Sequence, residues 1–299
     1  MSVLIPALPE GATLGLIAPA GPPAAGQLEQ VPALLARHGY RAKIFPGCSG
    51  PAQFGFLAAT DEQRLADLHA ALADPEVDAV MALRGGYGCA RLMGRIDVDL
   101  VKRHPKPLIG YSDITTLHGL RDSLGIPSWH GPMPTSDLLH SEADAATLFA
   151  QLRHGAHTGD VLAPAMDEHP LSRGVSAQGR LVGGNLSVYV TLLGTEWQPR
   201  AEQIEGGILF LEDVGEAPYR VDRMLAQLRQ AGVLDAAAGF VLGSFSDADS
   251  PDEVLADYLH RLNKPVLAGW PSGHCSPNAA LPMGVEVTLD VAGRRLILG

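Results

Sequence analysis

Cysteine is scarce in this chain: Cys48, Cys89 and Cys275 are the only three in 299 residues, odd in number, far apart and in neither CxxC nor finger spacing. A disulfide framework is therefore not expected, and a reducing compartment fits. Basic residues are also few, with Lys and Arg numbering 22 against 33 Asp and Glu for a formal net charge of −11, and no Lys/Arg cluster stands out. Phosphates along a nucleic-acid strand would go unneutralised, so no nucleic-acid partner is expected. An anionic small substrate must instead be held by local arginines against the field of the whole molecule. No run of about 18 apolar residues occurs, which argues against a spanning helix. Residues 1–26 carry no basic n-region and are broken by Pro6, Pro9 and Pro19, so they fail as a secretory signal. These absences lead to the expectation of a cytoplasmic protein with no membrane partner.

What is present is material for a core. Hydrophobic residues make up 46% and charged residues 18%, with 34 Gly and 23 Pro, the balance of a globular chain. The length suits two domains or one large one, either able to bury a substantial core without disulfides or metals.

Short apolar runs alternate with segments of helical period through the first half. TLGLIAPAG from Thr13, RAKIF from Arg41, DAVMALRGG from Asp78 and KPLIGYS from Lys106 read as strands. Gln27 to His38, Asp61 to Ala73, Cys89 to Arg95 and Ile114 to Ser123 read as helices, the second opened by a capping box of Thr60 and Gln63. AVMAL and PLIGY are apolar on both pleat faces, as parallel strands covered by helices on both sides require. Residues 1–135 are thus expected to form a Rossmann-like parallel-sheet domain. Residues 136–175 lose the pattern, apart from one helix from Glu142 to Arg153, and are read as an inter-domain connection. Residues 176–299 are expected to form a smaller mixed α/β domain, with strands in GRLVGGN, GGILFLED, GFVLGSF and PVLAGW, helices over 219–230 and 252–262, and a closing hairpin, VEVTLD with RRLILG.

In open parallel sheets the ligand crevice lies beyond the carboxyl ends of the strands, so polar residues after apolar runs are the first candidates. Ser112, in Gly110-Tyr111-Ser112-Asp113, stands at such a strand-to-helix turn. There a hydroxyl projects from the strand end while the first amides of the helix face the same space, a geometry that suits a nucleophile. Only part of a G-x-S-x-G elbow is present, because Ile114 replaces the second glycine. The competing reading has Ser112 or Asp113 simply capping the helix. The RGGYG loop, Arg84 to Gly88, follows the preceding strand and would face Ser112 if the two strands are neighbours. Its consecutive glycines make either a tight turn or an anion-binding nest, which with the amide of Asp113 would form an oxyanion hole. Neither GxGxxG nor GxxxxGK[ST] follows any expected strand, so no nucleotide cofactor is expected.

A serine hydroxyl needs a base, and the base needs an orienting partner. His118, His130 and His274 are the candidate bases. His118, inside the helix after Ser112, reads as packed or solvated, His130 follows the strand PSW, and His274, in a Gly-flanked loop after PVLAGW, is set to present its ring at a cleft. A lone histidine is nonetheless more often structural. Glu212 follows the apolar run ILFL and enters a low-dielectric region where its carboxylate needs a partner. Glu216 is better placed for a local role with Arg220. Two metal readings are weak: His154 and His157 with Glu168 and His169, in the low-signal connection, and Asp247, Asp249 and Asp252, which lack a calcium loop's glycine and distal glutamate. No metal is expected.

Taken together, GLIAPAGP, ALRGGYG, IGYSDIT, HGPM, GGNLSVYVTLLGT, LFLEDVGEAPYRVDRML, GFVLGSF and GHCSPNAALPMG, in this order over nearly the whole chain, resemble the LD-carboxypeptidase family. These serine peptidases, also called muramoyltetrapeptide carboxypeptidases, include the microcin C self-immunity hydrolases. The resemblance implies an N-terminal Rossmann-like domain carrying Ser112 as nucleophile and a C-terminal α/β domain carrying Glu212 and His274 as acid and base, the site lying between them. It further implies an oxyanion hole from the amides of Gly86 and Asp113, no cofactor, and a homodimer. The implied reaction removes the terminal D-alanine of a murein tetrapeptide during recycling. For the substrate's free carboxylate Arg84 is taken, with Arg91 the other nearby candidate. Cleavage of an aminoacyl-nucleotide amide, with Trp197 or Trp129 stacking the adenine, is the alternative, and non-catalytic muropeptide capture a further one.

Overall fold

The structure, a computed structural model, describes residues 2–299. After β1 (Val3–Ile5) the first half runs β2 (Thr13–Ile17), α1 (Val31–Arg37), β3 (Arg41–Ile44), α2 (Asp61–Ala73), β4 (Ala79–Ala82), α3 (Val98–Arg103), β5 (Leu108–Gly110), α4 (Thr115–Ser123) and β6 (Ser128–His130). Strands β3, β2, β4, β5 and β6 pair in parallel in that order, and β2, β4, β5 and β6 are buried along their whole lengths. This is the doubly covered parallel sheet that continuous apolar runs require.

Local chemistry explains where element ends depart from expectation. Pro32, without an N–H, stands in the first turn of α1, so residues before it form only a 3₁₀ turn, Leu28–Gln30. Cys89–Arg91 and Met93–Arg95 are two 3₁₀ turns rather than one helix, with Gly94 in the second. Thr60 caps α2 by accepting from the Gln63 amide at 3.2 Å, but the Gln63 side chain donates to Asp67 Oδ1 at 2.7 Å, so the box is only half made.

The segment read as a connection is packed rather than loose. It holds a short π-helical turn, Pro134–Leu138, α5 (Glu142–His154), β7 (Ala156–His157) and β8 (Val161–Leu162). Helix α5 buries Ala145, Leu148, Phe149 and Leu152 in one cluster with Leu14, Leu16, Met81 and Ile109, and β7 pairs antiparallel with β1.

The second half runs β9 (Ser176–Asn185), α6 (Leu186–Val190), α7 (Ala201–Ile204), β10 (Ile208–Val214), α8 (Pro218–Gln230), α9 (Val233–Ala236), β11 (Gly239–Ser246), α10 (Asp252–Arg261), β12 (Val266–Ala268), β13 (Leu281–Met283), β14 (Glu286–Asp290) and β15 (Arg295–Leu298). Its mixed sheet has the order β12-β11-β10-β9-β14-β15-β8. The long β9 serves both parts: Leu181–Asn185 pair in parallel with β10, while Ser176–Arg180 pair antiparallel with β14. The closing hairpin is β14–β15.

Strand β13 leaves this half and adds itself antiparallel to β6 at the edge of the N-terminal sheet, Leu281 opposite His130 and Met283 opposite Ser128. Three residues with a central proline carry no strand signature, and an edge is where a proline is tolerated in a sheet. The consequence is positional. Because β13 starts opposite the carboxyl end of β6, the loop before it enters at the carboxyl edge of the parallel sheet, where Ser112 emerges after β5.

Candidate active site

Strands β4 and β5 are parallel neighbours, Val80 opposite Leu108 and Met81 opposite Ile109, so the loops after them meet. A methyl group added to Gly85 would lie 2.7 Å from Ser112 Cβ and 2.8 Å from its Oγ. Only glycine fits there. Ser112 has φ of 62°, the left-handed conformation that a non-glycine residue adopts at a cost, and it stands in a tight 3₁₀ turn before α4. Neither Ser112 nor Asp113 caps the helix. The Asp113 carboxylate instead reaches back to accept from the Cys89 amide at 2.8 Å, pinning the Ser112 turn to the glycine loop. Burial raises the Asp113 pKa and that amide works against the rise. The Gly85 carbonyl accepts from Gly21 N at 3.0 Å, which turns the Gly86 N–H of the same trans peptide the opposite way.

Glu212, on β10, is fully buried. Its Oε2 accepts from His274 Nδ1 at 2.8 Å and from the His274 backbone amide at 3.2 Å. Two glycines make room for the carboxylate: a methyl on Gly273 would collide with Oε2, and one on Gly243 would meet Glu212 Cβ at 2.9 Å. Burial disfavours the His274 imidazolium, but the hydrogen bond and charge of Glu212, with Asp213 and Asp137 beyond it, outweigh this and hold the pKa above the ordinary histidine value. The ring lies 4.9 Å, centroid to centroid, from Tyr111, the residue before Ser112. The two halves are also joined beside the turn by Asn185 N donating to Thr115 Oγ1 at 3.0 Å. No hydrogen bond links Ser112 Oγ to His274 among the described residues.

The other candidates separate by environment. His118 is buried, its Nε2 bonded to the Gly110 carbonyl at 2.8 Å and its Nδ1 to Ser128 Oγ at 2.7 Å, with burial pushing its pKa down to about 4. It braces the strand end that leads to Ser112. His130 is fully enclosed at the end of β6. Half-buried Glu216 pairs with exposed Arg220 at 3.5 Å. Arg91 is committed to Asp61 through bonds of 2.9 and 2.7 Å, whereas Arg84 donates to the Pro22 carbonyl at 3.2 Å and pairs with no carboxylate among the described residues. His154 and His157 gather not with Glu168 and His169 but with Asp160, their ligating atoms within 4.8 Å of one another, and His154 Nε2 already bonds Asp160 at 2.9 Å.

Tyr111, Asp137 and Asp144 escaped the sequence reading. Tyr111, inside the IGYSD motif, donates its hydroxyl to Asp137 at 2.9 Å. Asp144, in the first turn of α5, is buried and accepts from Asn278 N at 2.9 Å and Ser276 Oγ at 3.1 Å, clamping the loop that carries His274. The legible signal there was Ser141, which caps α5 by accepting from the Asp144 amide at 3.2 Å.

Comparison with known proteins covers both halves. The family model described as LD-carboxypeptidase N-terminal domain matches residues 14–131, and that described as LD-carboxypeptidase C-terminal domain matches residues 178–289. The "Probable murein peptide carboxypeptidase" of Bacillus subtilis (strain 168) is 37% identical over 98% of this chain and 93% of its own length. The "Microcin C7 self-immunity protein MccF" of Escherichia coli is 26% identical over 81% of this chain and 79% of its own. The crystal structure of muramoyltetrapeptide carboxypeptidase from Oxalobacter formigenes superposes with a TM-score of 0.82 at 31% identity, covering 96% of this chain and 98% of that one.

Proposed function

The chain belongs to the LD-carboxypeptidase family, and on that premise we propose that it is a serine carboxypeptidase releasing the terminal D-alanine of a murein tetrapeptide. The observation that carries this reading is the 2.8 Å bond from His274 to buried Glu212, set beside a serine held in the left-handed region.

In this reading Ser112 is the nucleophile. Glu212 occupies Nδ1 of His274 and leaves Nε2 to take the serine proton as Oγ attacks the scissile carbonyl. Substrate binding brings Oγ and Nε2 to hydrogen-bond distance. Amides of Gly86 and Asp113 receive the oxyanion, each worth about 3 kcal/mol of transition-state stabilisation. His274 then returns the proton to the leaving D-alanine amine, and water, deprotonated by the same ring, releases the acyl group. Arg84, free of a carboxylate partner, binds the substrate's terminal carboxylate. The reading includes a cytoplasmic location and the homodimer implied by the resemblance. No helix is long and apolar enough to cross a membrane among the described residues.

The nucleotide alternative calls for an aromatic surface to stack the adenine: Trp129 is 2% exposed within β6, whereas Trp197 is half-buried against the core. Assaying the full chain side by side on a murein tetrapeptide and an aminoacyl-sulfamoyl nucleotide tests the choice. The expected result is D-alanine from the first, undiminished by chelator, and no cleavage of the second; the reverse pattern assigns the microcin-type activity.

A further inference from the structure

The His274 contact satisfies one oxygen of Glu212. The other, Oε1, is enclosed without a hydrogen-bond partner among the described residues. Facing it at 3.9 Å is Nε2 of His130, a residue with no exposed surface whose two ring nitrogens are likewise unpartnered among the described residues. A buried polar group left unsatisfied costs about 1–3 kcal/mol, more if charged, so two such groups aimed at each other make one missing bond. Closing the gap to hydrogen-bond length takes about 1 Å. Burial, with His118 and His274 nearby, drives the His130 pKa well below the ordinary value, so the ring is neutral and carries one N–H. Phe210 stands edge-on to it at 5.0 Å and Tyr111 at 5.7 Å, fixing the ring plane.

We propose that His130 is a positioning residue for the Glu212–His274 pair, its Nε2–H donating to Oε1 of Glu212 so that Oε2 stays aimed at the His274 ring. This rests on the reading of Glu212 and His274 as acid and base. Its signature is electrostatic. A carboxylate stripped of one donor is more basic and holds the His274 imidazolium more tightly, so the acid limb of kcat/KM, which reports neutral His274, moves to higher pH. The groups facing His274 are Glu212 and Asp213 from β10, Asp137 from the π-helical turn, Tyr111, His130 and Cys275, and substitution at His130 leaves the others in place.

The test measures pH profiles of D-alanine release for full-length His130→Phe and His130→Gln, together with the histidine ¹⁵N spectrum of the unmodified protein. In the Phe variant kcat is expected to fall roughly 10- to 100-fold, the worth of one hydrogen bond to a charged group, with KM unchanged and the acid limb raised. Gln, whose amide nitrogen approximates Nε2, restores most of both. In the unmodified protein His130 is the Nε2–H tautomer, and its Nε2 resonance moves in Glu212→Gln. Wild-type kcat and acid limb in the Phe variant, a loss without limb shift that Gln fails to rescue, or an Nδ1–H tautomer would each overturn the proposal. The tautomer and its response to Glu212→Gln stand even if a His130 variant fails to fold, and the tautomer alone stands if Glu212→Gln does. They also stand if the unmodified protein releases no D-alanine, an outcome that would count against the functional reading instead.

Discussion

Ser112→Ala is expected to abolish turnover, lowering kcat for D-alanine release by about 10⁶-fold, the scale seen when a serine nucleophile is removed from such a triad. The fold should survive. Alanine keeps the Cβ that packs against Gly85 and meets the same backbone cost at φ 62° as serine, and the serine hydroxyl makes no hydrogen bond among the described residues. Initial rates paired with a thermal melt check both halves of this expectation. An unchanged melt with a rate within tenfold of the parent would remove Ser112 from the chemistry.

Glu212→Gln is the second large effect, expected at about 10⁴-fold in kcat with substrate binding preserved. The amide fills the same pocket between Gly243 and Gly273 but carries no charge to stabilise the imidazolium and no obligate acceptor to fix Nδ1–H. Glu216→Gln serves as the internal comparison: that half-buried carboxylate pairs only with exposed Arg220 among the described residues, and its loss should leave kcat near the parent value. Equal effects at the two positions, read by steady-state kinetics, would contradict the assignment of the acid.

The parallel sheet was legible because AVMAL and PLIGY are apolar on both faces; that the RGGYG loop would face Ser112 was expected only if their strands were neighbours, and the β4–β5 pairing supplies that condition. Glu212 was legible for a related reason, since a carboxylate directly after four apolar residues has to find a partner inside the protein. The choice among His118, His130 and His274 was not readable from local sequence. An imidazole's role is set by tertiary neighbours: the Gly110 carbonyl for His118, enclosure for His130, and a carboxylate from another strand for His274. Strand β13 escaped because three residues around Pro282 have neither the length nor the alternation that marks a strand. Asp144 escaped because its clamp on the His274 loop joins positions 132 and 134 residues apart, and nothing local to α5 points so far along the chain.

All of this depends on a seryl oxygen activated by the Glu212–His274 pair. The most direct measurement is to treat the full-length protein with an activated fluorophosphonate and locate the adduct by peptide mass spectrometry. A single adduct on Ser112, formed rapidly in the parent and lost in Glu212→Gln, is the predicted result. No adduct, or one on another serine indifferent to that substitution, would contradict it.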